Sequence, residues 1–145
     1  MEYLSKSEKE TYQIAKGLAL KTQPGDIFAL EGDLGSGKTT FIKGFAKALG
    51  IKNEVTSPTF VLLKKYNVEN YRKNIKNLIH IDCYRMNSPE DAYSIGIDEF
   101  LGDKEAIVLI EWPSKIRNLL PKRTINLEFN YIDPDTRKIS INKDS

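Results

Sequence analysis

The chain has 145 residues, 40% of them apolar and 29% charged, and a formal net charge of +2 at pH 7. That length suits one domain, spanning residues 1–145, with a buried core; the interspersed charges leave no electrostatic case for a protein that grips nucleic acid by itself. A lone cysteine, Cys83, excludes a disulfide framework and a Cys/His metal cluster, and the lack of a secretory or membrane-spanning apolar run predicts a cytoplasmic protein with no membrane partner.

Ser5-x-x-Glu8 and Ser7-x-x-Glu10 are overlapping capping-box candidates, and Thr11, Ile14, Ala15, Leu18 and Ala19 then fall on one helical face. The turn Gln23-Pro24-Gly25 leads into Asp26–Glu31, which reads as a short buried strand. Gly32-Asp33-Leu34-Gly35-Ser36-Gly37-Lys38-Thr39 follows, a complete G-x-x-x-x-G-K-[ST] phosphate-binding loop. Glycines let successive backbone N–H groups curl round phosphate oxygens, the lysine reaches the β and γ phosphates, and the threonine hydroxyl can ligate Mg²⁺. From Thr39 to Leu49 the apolar residues keep helical spacing, with Gly50 placed as the residue beyond the C-cap. Strand, loop and helix in this order put the positive end of a helix dipole at the phosphates.

The Ser57-Pro58 step argues for a loop over Lys52–Pro58. Thr59-Phe60-Val61-Leu62-Leu63 reads as a strand continuing to Tyr66, and the polar stretch Asn67–Lys76 as an exposed loop or a hairpin extension. Asn77–Asp82 is the next strand. Ser88-Pro89-Glu90-Asp91 predicts a helix opening, weakened at Gly96 and followed by a second turn closing at Gly102. Ala106–Glu111 is a continuous apolar run, which suits a parallel strand covered on both faces. Thr124–Tyr131 and Arg137–Ile141 flank Asp133-Pro134-Asp135 as a terminal hairpin. Lys64-Lys65 and Lys122-Arg123 read as solvated faces.

These elements predict an α/β fold: a P-loop NTPase-like mixed sheet with helices on both faces and a C-terminal antiparallel hairpin. The strands at 26–31, 77–82 and 106–111 should lie together and parallel, with their carboxyl ends at one edge, where ligands of such sheets bind. The two strands predicted to flank the phosphate loop end in an acid, Asp82 and Glu111, which suits Mg²⁺ coordination and orientation of an attacking water. His80 reads either as a hydrogen-bonded core residue or as a catalyst. Arg85 supports a γ-phosphate or pairs with an acid, and Trp112 is a core anchor or contacts nucleotide or a partner. Thr59 is a candidate γ-phosphate sensor or part of an ordinary turn; the role of Asp33 stays open.

The loop Gly32–Thr40, Ser57-Pro58-Thr59-Phe60, His80-Ile81-Asp82-Cys83-Tyr84-Arg85 and Ile110-Glu111-Trp112-Pro113 together resemble the TsaE family, bacterial ATPases of tRNA threonylcarbamoyladenosine synthesis. Cys83 stands where that family usually has a larger apolar residue. The resemblance implies ATP and Mg²⁺ as cofactors, TsaD and TsaB as partners, and contact with tRNA only through that complex. It implies that Gly35, Ser36, Gly37, Lys38, Thr39 and Thr40 cradle phosphates, that Thr39 and Glu111 ligate Mg²⁺, and that Asp82 assists hydrolysis beside Lys38. Thr11 and Arg137 match nucleotide-contacting positions. The alternatives left open are a small-molecule kinase and a non-catalytic nucleotide-sensing module.

Overall fold

The computed structural model describes residues 1–33, 35–52, 55, 63–68 and 74–143. In chain order the elements are β1 (Glu2–Ser5), α1 (Glu8–Lys21), β2 (Ile27–Glu31), α2 (Lys38–Ala48), β3 (Leu63–Asn67), β4 (Asn77–Asp82), α3 (Pro89–Ser94), α4 (Ile97–Leu101), β5 (Ala106–Glu111), β6 (Ile125–Asp133) and β7 (Thr136–Lys143), with a 3₁₀ helix over Pro113–Leu119. The strands form one seven-stranded sheet of order β1-β7-β6-β2-β5-β4-β3. As expected, β2, β5 and β4 are adjacent and parallel. β6 joins β2 in parallel on its other side, while β7, β1 and β3 are antiparallel to their neighbours.

The two faces of the sheet are covered differently. Phe28, Leu30, Leu78, Ile107, Leu109, Leu127 and Phe129 pack against Ala15 and Ala19 of α1 and Phe41 and Phe45 of α2. Ile79, Ile81, Val108 and Ile110 face Ala92, Ile97, Leu101 and Ile116 on the other side. All six residues of β5 are buried, which is why its sequence is apolar without alternation. Helices α1 and α2 approach closely at Gly44, where a Cβ would sit 2.9 Å from Tyr12 Cδ1 and 3.3 Å from Ala15 Cβ.

The helix ends follow from their sequences, with two adjustments. Ser7, not Ser5, caps α1: its hydroxyl accepts the Glu10 N–H at 3.1 Å. The Glu10 carboxylate accepts the N–H of Lys6, one residue before the expected box partner, and Ser5 Oγ instead lies 2.7 Å from Thr11 Oγ1. α2 closes on Gly50 with paired bonds, Gly50 N to Lys47 O and Ile51 N to Ala46 O, the double closure of a Schellman motif. Ser88 precedes Pro89 at the start of α3 but makes no side-chain cap bond; the Asp91 carboxylate accepts the Asn87 N–H at 2.8 Å in its place. Arg123 is exposed, as expected, and donates to the carbonyls of Gly25 and Leu101, tying the turn before β2 to the end of α4. β1 was not expected from sequence. The part of the strand expected before Leu63, and with it Ser57, Pro58 and Thr59, lies outside the described residues.

Candidate functional site

The carboxyl ends of β2, β4 and β5 meet at one edge of the sheet and form the floor of a cavity of about 1070 Å³. Ten of the candidate site residues from the sequence line it: Thr11, Gly35, Ser36, Gly37, Lys38, Thr39, Thr40, Asp82, Glu111 and Arg137. Asp33, Tyr84, Arg85 and Trp112 line it too. The glycine-rich loop leaves β2 at Gly32 and enters α2 through Gly37, a left-handed residue at φ 101° serving as N-cap. Gly32 has no room for a side chain, because a Cβ would lie 2.6 Å from the Phe129 backbone oxygen of β6. The N-terminal amides of α2, lacking intrahelical acceptors, suit an anion at the loop.

Lys38 begins α2 and is 5% exposed. Its ammonium donates to the Gly32 carbonyl and sits 3.5 Å from the centroid of the Trp112 ring, a cation–π contact. Burial lowers its pKa from the usual lysine value, opposed first by the charge of Glu111 and then by Asp82, Asp33 and Glu31. Asp82 and Glu111 are register partners on β4 and β5 and are 7% and 5% exposed. The Asp82 Oδ1 accepts the Tyr84 N–H at 2.9 Å, turning the chain sharply after β4. Tyr84 thus occupies a turn, and its ring lies 5.0 Å from that of Trp112.

Two residues bring remote segments to the loop. Trp112 has φ 55° and ψ 56°, a left-handed conformation that costs a bulky residue about 1–3 kcal/mol. It breaks the chain away from β5, and Trp112 both packs against the core under the 3₁₀ helix and meets Lys38. Arg137, near the start of β7, donates through Nε to the Gly35 carbonyl at 2.9 Å and through Nη1 to the Asp133 carbonyl at 2.7 Å. Its guanidinium also sits 4.5 Å from the Tyr131 ring centroid. The hairpin is thereby clasped to the loop. His80 is buried and lies 2.8 Å from Glu111 through Nε2 and Oε2, so the core reading of this histidine holds while its partner is a cavity acid. Cys83 is buried, and burial, helped by the Asp82 charge, pushes its thiol up to about 12.

The donor set suits a divalent cation shared with a polyanion. Two buried carboxylates, Asp82 and Glu111, line the same cavity as one buried ammonium, Lys38, and carboxylate oxygens are the donors a hard divalent cation prefers. Among the described residues no group of three or more His, Cys, Asp or Glu side chains could hold a metal alone, so remaining ligands would come from Thr39, water and the bound anion, the usual arrangement for Mg²⁺. No helix among the described residues is long and apolar enough to cross a membrane.

The family model described as threonylcarbamoyl adenosine biosynthesis protein TsaE matches residues 5–139. The protein of that description from Bacillus subtilis is 38% identical over 140 residues, covering 97% of this chain and 84% of the relative. Its counterpart in Rickettsia typhi is 40% identical over 140 residues, covering 96% and 92%, and that of Aquifex aeolicus is 38% identical over 142 residues, covering 97% and 94%. The crystal structure of Bacillus subtilis YdiB superposes with a TM-score of 0.77 at 35% identity, covering all of this chain and 86% of that one.

Proposed function

The chain belongs to the TsaE family, and on that premise we propose that it is a Mg²⁺-dependent ATPase acting with TsaB and TsaD in the threonylcarbamoyladenosine modification of tRNA. The observation that carries the hydrolytic part is the pair of buried acids, Asp82 and Glu111, in the same cavity as Lys38 and the glycine-rich loop.

In this reading the loop amides from Gly35 to Thr40 cradle the phosphates, and Lys38 leaves the Gly32 carbonyl to neutralise charge on the γ-phosphate. Thr39 and Glu111 would hold Mg²⁺, which would supply positive charge to offset that of the phosphates. Asp82, whose Oδ1 accepts the Tyr84 amide, orients the attacking water. Thr11 and Arg137 border the nucleotide from α1 and the hairpin. Catalysis is then positioning and preorganised charge rather than covalent chemistry. No arginine besides Arg85 and Arg137 lines the cavity among the described residues, so turnover alone is slow and depends on the partners; a supplied arginine raises such rates by about 10³–10⁵.

The test is ATP hydrolysis and co-purification with TsaB and TsaD, with and without ATP. Association that requires nucleotide, together with partner-stimulated release of free phosphate, is the expected result. Failure to associate under any nucleotide condition overturns the assignment. Transfer of label to a metabolite would instead favour a small-molecule kinase, and full tRNA modification by Asp82→Ala a nucleotide-sensing module.

A further inference from the structure

On β4, the residues Leu78, His80 and Asp82 share one face of the sheet, next to Ile107, Leu109 and Glu111 of β5 in register. The first two rungs of this ladder are the place for apolar side chains: Leu78, Ile107 and Leu109 belong to the core beneath α1 and α2. His80 breaks that pattern. It is 2% exposed, it does not line the cavity, and a leucine would fill its place as one does at 78 and 109. Burying an imidazole there costs desolvation that packing alone does not return.

What the ring gains is a single bond. Nε2 lies 2.8 Å from Glu111 Oε2, and because a carboxylate oxygen only accepts, Nε2 carries the hydrogen. Nδ1 is buried with no hydrogen-bond partner among the described residues. The histidine is therefore committed to Glu111 and to nothing else the structure records. Glu111 is 5% exposed and lines the cavity beside Lys38. The bond to Oε2 restricts rotation of its carboxyl group about the last side-chain bond and leaves Oε1 outside that contact.

We propose that His80 is a positioning residue: it clamps one oxygen of Glu111 so that the other is presented to a divalent cation bound with nucleotide. This rests on the metal role given to Glu111 above. A ligand carboxylate free to rotate pays for its ordering on each binding event, and loss of such outer partners usually costs 10–100-fold in metal affinity.

The experiment measures Mn²⁺ affinity by electron paramagnetic resonance in the presence of the β,γ-imido analogue of ATP, alongside analogue affinity in EDTA and a melting curve. Gln places an amide donor where His80 Nε2 stands, whereas Asn places one where Nδ1 stands, and Leu keeps the bulk without a donor. Mn²⁺ affinity should fall roughly 10–100-fold in His80→Leu and His80→Asn and stay within about threefold of wild type in His80→Gln. Metal-free analogue binding should be unchanged in all three. Should His80→Leu fail to fold, the contrast between Gln and Asn decides. Equal Mn²⁺ affinity in the Gln and Asn variants overturns the proposal. Glu111→Gln separates the two levels: wild-type Mn²⁺ affinity there overturns the metal role of Glu111 itself, while loss there with no loss in the His80 variants overturns the clamp alone.

Discussion

Gly32→Ala is the substitution with the sharpest structural consequence. A methyl group at this position would stand 2.6 Å from the Phe129 backbone oxygen, 2.9 Å from Phe129 Cβ and 2.7 Å from Ser36 Oγ. The serine can rotate away. Phe129 cannot, because it is 2% exposed, pairs in register with Ile139 of β7 and holds its ring 5.3 Å from that of Phe41. Relief therefore requires β6 to part from β2 just where the loop begins. Forced overpacking of this kind costs about 1–3 kcal/mol, and a side chain at φ +155° adds about 1–2 kcal/mol. A total of about 2–5 kcal/mol corresponds to a fall in Tm of roughly 6–15 °C for a chain of this size. Gly35→Ala is the internal control: its φ is +79° but no atom lies within 4 Å of a Cβ, so only the backbone cost of about 1–2 kcal/mol remains. Calorimetric melts of both variants at one pH give the answer. If Gly32→Ala melts within 3 °C of wild type (roughly 1 kcal/mol), or no lower than Gly35→Ala, the steric reasoning is wrong.

Arg137→Ala removes the bond to the Gly35 carbonyl and should weaken ATP binding roughly 3- to 10-fold, about 1 kcal/mol for a half-exposed charged hydrogen bond, with little change in Tm; calorimetric titration that finds wild-type affinity refutes the clasp. The Cys83 thiol, raised from 9.0 to about 12, keeps its proton in the native state while the unfolded chain releases it. Its contribution is fully present below pH 9 and is lost as pH rises towards 12, with a slope of up to about 1.4 kcal/mol per pH unit. Urea midpoints at pH 8 and 10.5 should therefore drop more steeply in wild type than in Cys83→Ala, and parallel slopes would refute it.

The elements legible in the sequence are those whose local pattern has one solution. Ala106–Glu111 is apolar at every position until its final acid, and only a strand covered on both faces accommodates that. The glycine-rich loop needs its strand and its helix, so β2 and α2 came with it. β1 was not legible because Glu-Tyr-Leu-Ser has no apolar periodicity; its strand character comes wholly from pairing with β7. The hairpin at 125–143 was readable from its turn, but β6 lying parallel beside β2 is a matter of sheet order, which local patterning does not encode. In the site, Asp82 and Glu111 could be named from their strand ends. The partner of His80 could not, since it depends on β4 and β5 being neighbours in a given register. The ring of Trp112 over Lys38 depends on a left-handed turn before proline that no sequence rule favours.

The clasp of Arg137 on the Gly35 carbonyl joins residues 102 positions apart, and β1 pairs with β7, Glu2 opposite Ser140. The glycine-rich loop is synthesised well ahead of β7, and its enclosure waits for that strand to arrive. Contacts of such long range must be closed against chain entropy before they return any stability. During translation, then, an emerging chain carries the loop for about a hundred residues without the hairpin that encloses it, and the cavity becomes whole only when nearly all of the described chain has left the ribosome.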